Sequence, residues 1–145
     1  MNINENAVLK TSQEIEINAP IEKVWQTQSN INNWPNWHPK ISKAELKGNL
    51  EEKSSFVWVA DGYKLNSILQ KVSENEVIAW TGKGFGASAI HIWEFEALEN
   101  GKTLVRTKES MDGWLVKLLK GMMRKKLDES LGFWLEALKI EAEKG

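Results

Sequence analysis

The sequence predicts an α+β fold: a curved, mostly antiparallel sheet of seven strands wrapped around one long C-terminal helix. One or two short helices follow the first strand. Three observations carry this. From Ile41 to Met111, short runs of alternating polar and apolar residues are separated by turn residues, as in strands joined by hairpins. From Trp114 onward the apolar spacing changes to steps of three and four and stays there to residue 143. The chain has 145 residues, 41% hydrophobic and 27% charged, which suits one soluble domain with a core of its own.

Taken in order, residues 1–10 read as a frayed lead-in to a single domain spanning 1–145. Thr11–Asn18 alternates and forms the first strand. Pro20 opens a short helix, where its missing N–H costs nothing, and Ile21, Val24 and Trp25 share one face of it. Residues 29–40 hold two prolines and several asparagines, so they form turns or a single helical turn. Strands follow at 41–47, 53–60, 63–72, 76–82, 88–98 and 102–111. Their connections are short, which makes neighbours antiparallel. Asp61-Gly62 is a strong two-residue hairpin signal. Gly82–Gly86 reads as a mobile connection, with Phe85 as a gate. Asp112-Gly113 ends the strands, and one helix is expected over about 114–143. Leu115, Leu119, Met123, Leu127, Leu131, Trp134, Leu138 and Ala142 form its apolar stripe.

Composition removes several function classes. There is no cysteine, so thiolate catalysis, disulfides and thiolate metal sites are excluded. His38 and His91 are the only histidines, so no three-histidine zinc site forms; no metal and no cofactor are expected. The net charge is −1, without the basic excess of a dedicated nucleic-acid binder. No run of about 18 apolar residues spans a membrane. The polar, acidic opening lacks the features of a secretory signal, so a cytoplasmic protein is expected. Phosphate loops, G-x-S-x-G and H-E-x-x-H are absent.

Two hairpin registers locate the chemistry. With a three-residue loop at Glu99-Asn100-Gly101, His91 faces Glu109, Trp93 faces Thr107 and Phe95 faces Val105 on one side of the sheet. Glu94 and Arg106 then share the other. Around Asp61-Gly62, Trp58 faces Leu65 and Phe56 faces Ser67, on what is expected to be the concave side. The His91–Glu109 pair suits a general acid–base couple or a polar anchor for a ligand; it equally suits a satisfied cross-strand hydrogen bond. Trp34, Trp37 and His38 cluster in the irregular segment, as a lid over a cavity or as a plug of the core. Trp114 has the same two readings, and Trp134 reads as core. Lys117, Lys120 and Arg124 lie along one helical stripe beside Lys125 and Lys126. They read as a solvated basic face, with a membrane-surface or partner patch as the rival.

Several segments resemble the SRPBCC family, the START-like, polyketide cyclase/dehydrase and birch-pollen-allergen superfamily. They are Ile15–Trp25, Trp34-Pro35-Asn36-Trp37-His38-Pro39, Ala79–Gly82, His91–Phe95, the Gly101-Lys102-Thr103 turn, Glu109, and Asp112-Gly113-Trp114 leading into the helix. The resemblance spans about residues 11–143. It implies the helix-grip fold and a deep apolar cavity. By position, Trp37, His38, Trp80, His91, Trp93, Glu109 and Trp114 match its motif or cavity-side positions. It implies no single activity. The expectation is binding or transport of a hydrophobic, planar small molecule in an internal cavity, with Trp34, Trp37, His38, Trp58, Trp80, His91, Trp93, Glu109 and Trp114 as candidate ligand residues. The alternatives are a cyclase/dehydrase-type or hydrolytic enzyme using His91 and Glu109, and a protein-interaction module. The expected oligomeric state is a monomer or weak homodimer.

Overall fold

The computed structural model describes residues 1–145. Strand β1 is Leu9–Ile17. Helix α1 (Ile21–Ser29), a 3-10 turn (Ile31–Asn33) and one α-turn, α2 (Trp34–Trp37), follow. Then come β2 (Ile41–Lys47), β3 (Ser55–Ala60), β4 (Tyr63–Ser73), β5 (Val77–Gly84), β6 (Ala87–Ala97) and β7 (Thr103–Asp112). All seven strands form one antiparallel sheet in the order β1-β7-β6-β5-β4-β3-β2. Only β1 is out of sequence order, and it closes against the last strand. This is the helix-grip arrangement.

Both hairpin registers read from the sequence hold: His91 opposes Glu109, Trp93 opposes Thr107, and Trp58 opposes Leu65. The alternation therefore sends Phe56, Trp58, Leu69, Trp80, His91, Trp93, Phe95 and Val105 inward, where all are buried. Bulges at Ile41/Lys43 and Leu69/Lys71 add local twist and help the sheet curl. On the outer face Glu94 and Arg106 are opposite in register but pair with other neighbours, Arg106 with Glu14 directly across on β1 and Glu94 diagonally with Lys108. Arg106 reaches Glu14 of β1 at 3.1 Å, and Lys108 reaches Glu94 at 3.2 Å. These half-exposed pairs contribute at most about 1 kcal/mol each.

Three expectations differ. First, the lead-in is held rather than frayed. The Asn4 N–H donates to Ser110 Oγ (3.1 Å) and the Val8 N–H to Asp112 Oδ1 (3.0 Å), so β1 starts at Leu9. Second, the single C-terminal helix is two: α3 (Trp114–Leu118) and α4 (Lys120–Ala142), joined at Leu119 with φ −110° and ψ 30°. The break falls where the anchors change. Val116 ties α3 down, while α4 is buried from Leu127 onward. Third, Gly82–Gly84 belongs to β5, and Phe85-Gly86 is a tight turn fixed on α3. The Leu115 N–H donates to the Gly86 carbonyl at 3.1 Å. Gly113 has φ +125°, and a Cβ there would stand 2.2 Å from that same carbonyl oxygen. Only glycine allows this approach. No helix is long and apolar enough to cross a membrane.

Candidate functional site

The inner wall is aromatic. Strands β3, β5 and β6 contribute Phe56, Trp58, Trp80, His91 and Trp93. The turn after α1 adds Trp34, with Pro35 in the first turn of α2, a position that needs no N–H. From the opposite side α4 inserts Trp134. Its ring centroid lies 5.1 Å from Trp34, 4.9 Å from His38, 5.6 Å from Trp58 and 5.2 Å from Trp93. Several of these contacts are edge-to-face, the geometry ring quadrupoles favour. The rings fill the middle of the grip. Trp134 is therefore the hub of the site as well as a core residue, a double role that helical spacing alone does not reveal.

The indole N–H groups separate into satisfied and unsatisfied. Trp34 Nε1 donates to the Gln28 carbonyl (2.8 Å), Trp134 Nε1 to Gln28 Oε1 (3.0 Å), and Trp58 Nε1 to Ser67 Oγ (3.0 Å). Gln28 is fully buried and joins two of these rings, yet the sequence reading missed it. The available signal was its place four residues after Val24, on the buried face of α1. Trp93 Nε1, Trp37 Nε1, His38 Nε2 and Gln28 Nε2 are buried without an acceptor. Each such group costs about 1–3 kcal/mol. His38 accepts the Lys40 N–H at Nδ1 (3.3 Å), which leaves its ring proton on Nε2. Burial lowers its pKa to about 4, so it is neutral at physiological pH.

His91 and Glu109 form the polar part. His91 Nε2 is 2.8 Å from Thr107 Oγ1, and Nδ1 is 3.4 Å from Glu109 Oε1. The imidazole lies against Trp80 (4.9 Å) and Trp93 (5.3 Å). Burial lowers the His91 pKa to about 3 and raises that of Glu109 to about 8. Desolvation disfavours both charges, so the pair is uncharged at neutral pH. Nε2 and Thr107 Oγ1 share a hydrogen bond, while Glu109 and Nδ1 make only the longer contact. The Glu109 side chain keeps 14% exposure, against 4% for His91. The carboxyl is thus the part of the wall that solvent still reaches.

Of the candidates, Trp34, Trp58, Trp80, His91 and Trp93 come together, with Glu109 joined through His91. His38 meets the group through Trp134, and Trp37 sits beside His38 at the rim, centroids 5.9 Å apart. Trp114 is apart from all of them. It is 59% exposed and stacks edge-on against Phe85. The sheet's outer face carries a groove of about 630 Å³ along Ser55, Ile68, Thr81, Ile90 and Ser110; it reaches Phe56 and Ser67 but none of the tryptophans. No cluster of three or more His, Asp or Glu residues stands ready for a metal.

The profile of the family described as polyketide cyclase / dehydrase and lipid transport matches residues 8–143. The chain belongs to that family, within the SRPBCC superfamily. Among solved structures this SRPBCC domain is similar to a hypothetical protein from Helicobacter pylori, with a TM-score of 0.86 at 18% identity over 96% of this chain and 90% of the other. It is also similar to the Zhui aromatase/cyclase of a Streptomyces species (TM-score 0.81, 14% identity, 93% of each chain). A START superfamily protein from Mycobacterium smegmatis aligns with a TM-score of 0.73 at 19% identity, over 92% of this chain and 97% of that one. At these identities the likeness is one of fold. No curated protein matches significantly. The SRPBCC scaffold accounts for the grip; the tryptophan wall and the His91–Glu109 pair are read from this chain's own residues.

Proposed function

We propose that this SRPBCC domain binds a hydrophobic, planar small molecule against the tryptophan wall, with His91 and Glu109 as its polar anchor. One observation carries the reading. Glu109 sets a carboxyl, whose charge burial disfavours, beside His91 on the inner face, and it alone of the pair stays partly reachable. A neutral acid beside a neutral imidazole offers a donor and an acceptor without a desolvated charge, which is what an apolar ligand with one carbonyl or hydroxyl needs. The unpartnered Trp93 N–H, next to His91, supplies a second donor. The rings meet one another, so the guest wedges in beside Glu109 and turns a ring aside.

Native mass spectrometry of freshly purified protein, with a fluorescence titration by 2-naphthol, a planar probe with one hydroxyl, tests this. The expected result is a mass above the 16.5 kDa chain that denaturation removes, together with quenching of tryptophan emission by the probe. Glu109→Leu should weaken probe binding about tenfold by deleting the anchor. A bare mass together with no quenching overturns the proposal.

A second reading rests on the Glu109 pKa of about 8, close to working pH, which suits a general acid. Glu109→Gln keeps a donor and an acceptor at this place but cannot give up a proton. An enzyme therefore loses turnover in this variant while binding persists. A pure binding protein keeps its affinity and has no turnover to lose.

A further inference from the structure

One end of the molecule carries side chains that neither the core nor the aromatic wall uses. It is built from the β5–β6 turn, α3 and the first turns of α4. From Gly113 to Lys126 only Val116 is buried. Trp114, Leu118 and Met122 recur every four residues and are 59%, 71% and 52% exposed. Phe85, at the hairpin tip, is 82% exposed and meets Trp114 edge-on with centroids 5.4 Å apart. Half of the protein's large exposed apolar side chains are thus gathered on this one end.

The same stretch holds Lys117, Lys120, Arg124, Lys125 and Lys126 and no acidic residue, in a chain whose net charge is −1. Every ion pair of the protein lies elsewhere, so all five cations are free. Lys117 lies three residues from Trp114 on α3, and Lys120 and Arg124, four apart, share a face of the first turns of α4. The platform is also rigid. The Leu115–Gly86 hydrogen bond and the close approach of Gly113 to Gly86 lock the hairpin tip to α3.

We infer that this end docks on the surface of an anionic lipid bilayer. Phe85, Trp114, Leu118 and Met122 enter the boundary between headgroups and acyl chains, where aromatic rings sit favourably. The five free cations meet lipid phosphates. A protein partner fits less well, because lysine is depleted in protein interfaces while apolar anchors there need a receiving pocket. Docking here is peripheral, consistent with the lack of a spanning helix. It does not depend on whether the aromatic wall takes a ligand.

Vesicle co-sedimentation of the full chain tests the inference, using phosphatidylcholine alone and phosphatidylcholine mixed with phosphatidylglycerol. The protein should pellet with the mixed vesicles at about 0.05 M salt and release by about 0.5 M. Two variants attack the two halves of the contact: Phe85→Ser with Trp114→Ser, and Lys120→Glu with Arg124→Glu and Lys125→Glu. All these side chains are exposed, so the fold survives, which circular dichroism verifies. Each variant should lower the partition coefficient at least about tenfold. Ile140→Ser, also exposed but far along α4, should leave it unchanged. Absence of binding to the mixed vesicles at low salt overturns the inference. So does binding by both variants as strong as that of the unaltered chain, or an equal loss in Ile140→Ser. Concentration-dependent self-association that the same substitutions abolish, without vesicle binding, assigns the end to a second copy instead.

Discussion

The two ends of the C-terminal helical region share an apolar spacing and meet opposite fates. From Leu127 to Ala142 the stripe is sealed: Leu131, Trp134, Leu138 and Ala142 are essentially inaccessible. From Trp114 to Lys126 the same rhythm runs over a surface. Leu115, Leu119 and Met123 are only half-covered, and Trp114, Leu118 and Met122 face solvent. Periodicity states that a helix has an apolar side; it does not state that a sheet lies beneath it. The tryptophans Trp134 and Trp114 condense the contrast. One is ringed by aromatic neighbours and donates its N–H to Gln28, and the other leans on Phe85 in the open.

The sharpest way to break the comparison is to truncate both. Trp134→Ala removes the hub of the wall and leaves Gln28 Oε1 unpartnered. It should cost about 3–5 kcal/mol in a denaturant titration. Trp114→Ala should stay within about 0.5 kcal/mol. Similar losses in the two variants would mean that the exposed end is packed in solution.

How much of this was readable beforehand depends on how local the information is. The strands and both registers were legible because alternation and turn chemistry act between neighbours in sequence. His91–Glu109 followed directly from the position of Gly101. Gln28 was not legible, since its partners Trp34 and Trp134 meet it only when α1 and α4 pack together. The helix break at Leu119 was hidden for the same reason: it marks a change of tertiary anchor in an otherwise continuous pattern. Trp114 was drawn toward the site by its resemblance to a family position, while its surroundings put it outside. The chain's eight tryptophans are compatible with a lined cavity or a filled one, and the close-set rings around Trp134 show the filled form there.

A smaller effect separates the two regions by pH: the buried titratable groups His38, His91 and Glu109 belong to the core that the sealed half covers, and none lies between Trp114 and Lys126. Folding raises the Glu109 pKa from 4.5 to about 8, so the folded protein holds a proton that the unfolded chain releases. That stability is complete below pH 4.5 and is lost as pH rises toward 8. Folding lowers His91 from 6.5 to about 3 and His38 from 6.5 to about 4. Their contribution is complete above pH 6.5 and is lost as pH falls toward 4 and 3. Stability should therefore peak near pH 6.5. Between there and pH 8 it should fall by at most about 2 kcal/mol. Glu109→Gln should flatten this alkaline limb and steepen the acid one between pH 4.5 and 6.5, where Glu109 opposes the two histidines. An unchanged alkaline limb in the variant would show that Glu109 does not carry it.

The smallest expected effect asks whether the exposed end holds its helix by local bonds alone. Gly121 lies in the first turns of α4, with nothing within 4 Å of where a Cβ would stand. If neighbouring packing does not matter there, Gly121→Ala should stabilise the protein by about 0.5–1 kcal/mol, through the reduced entropy of the unfolded chain. Gly132 lies in the sealed half, where a Cβ would come within 3.3 Å of Gln13 Oε1. Gln13 donates its amide to the Asp128 carbonyl at 2.8 Å, so it is not free to retreat without breaking that bond. Gly132→Ala should therefore gain less than Gly121→Ala, or lose stability outright. The same substitution read at two places on one helix then measures how tightly the sheet grips each. Equal gains at both would mean that the grip is loose along its whole length.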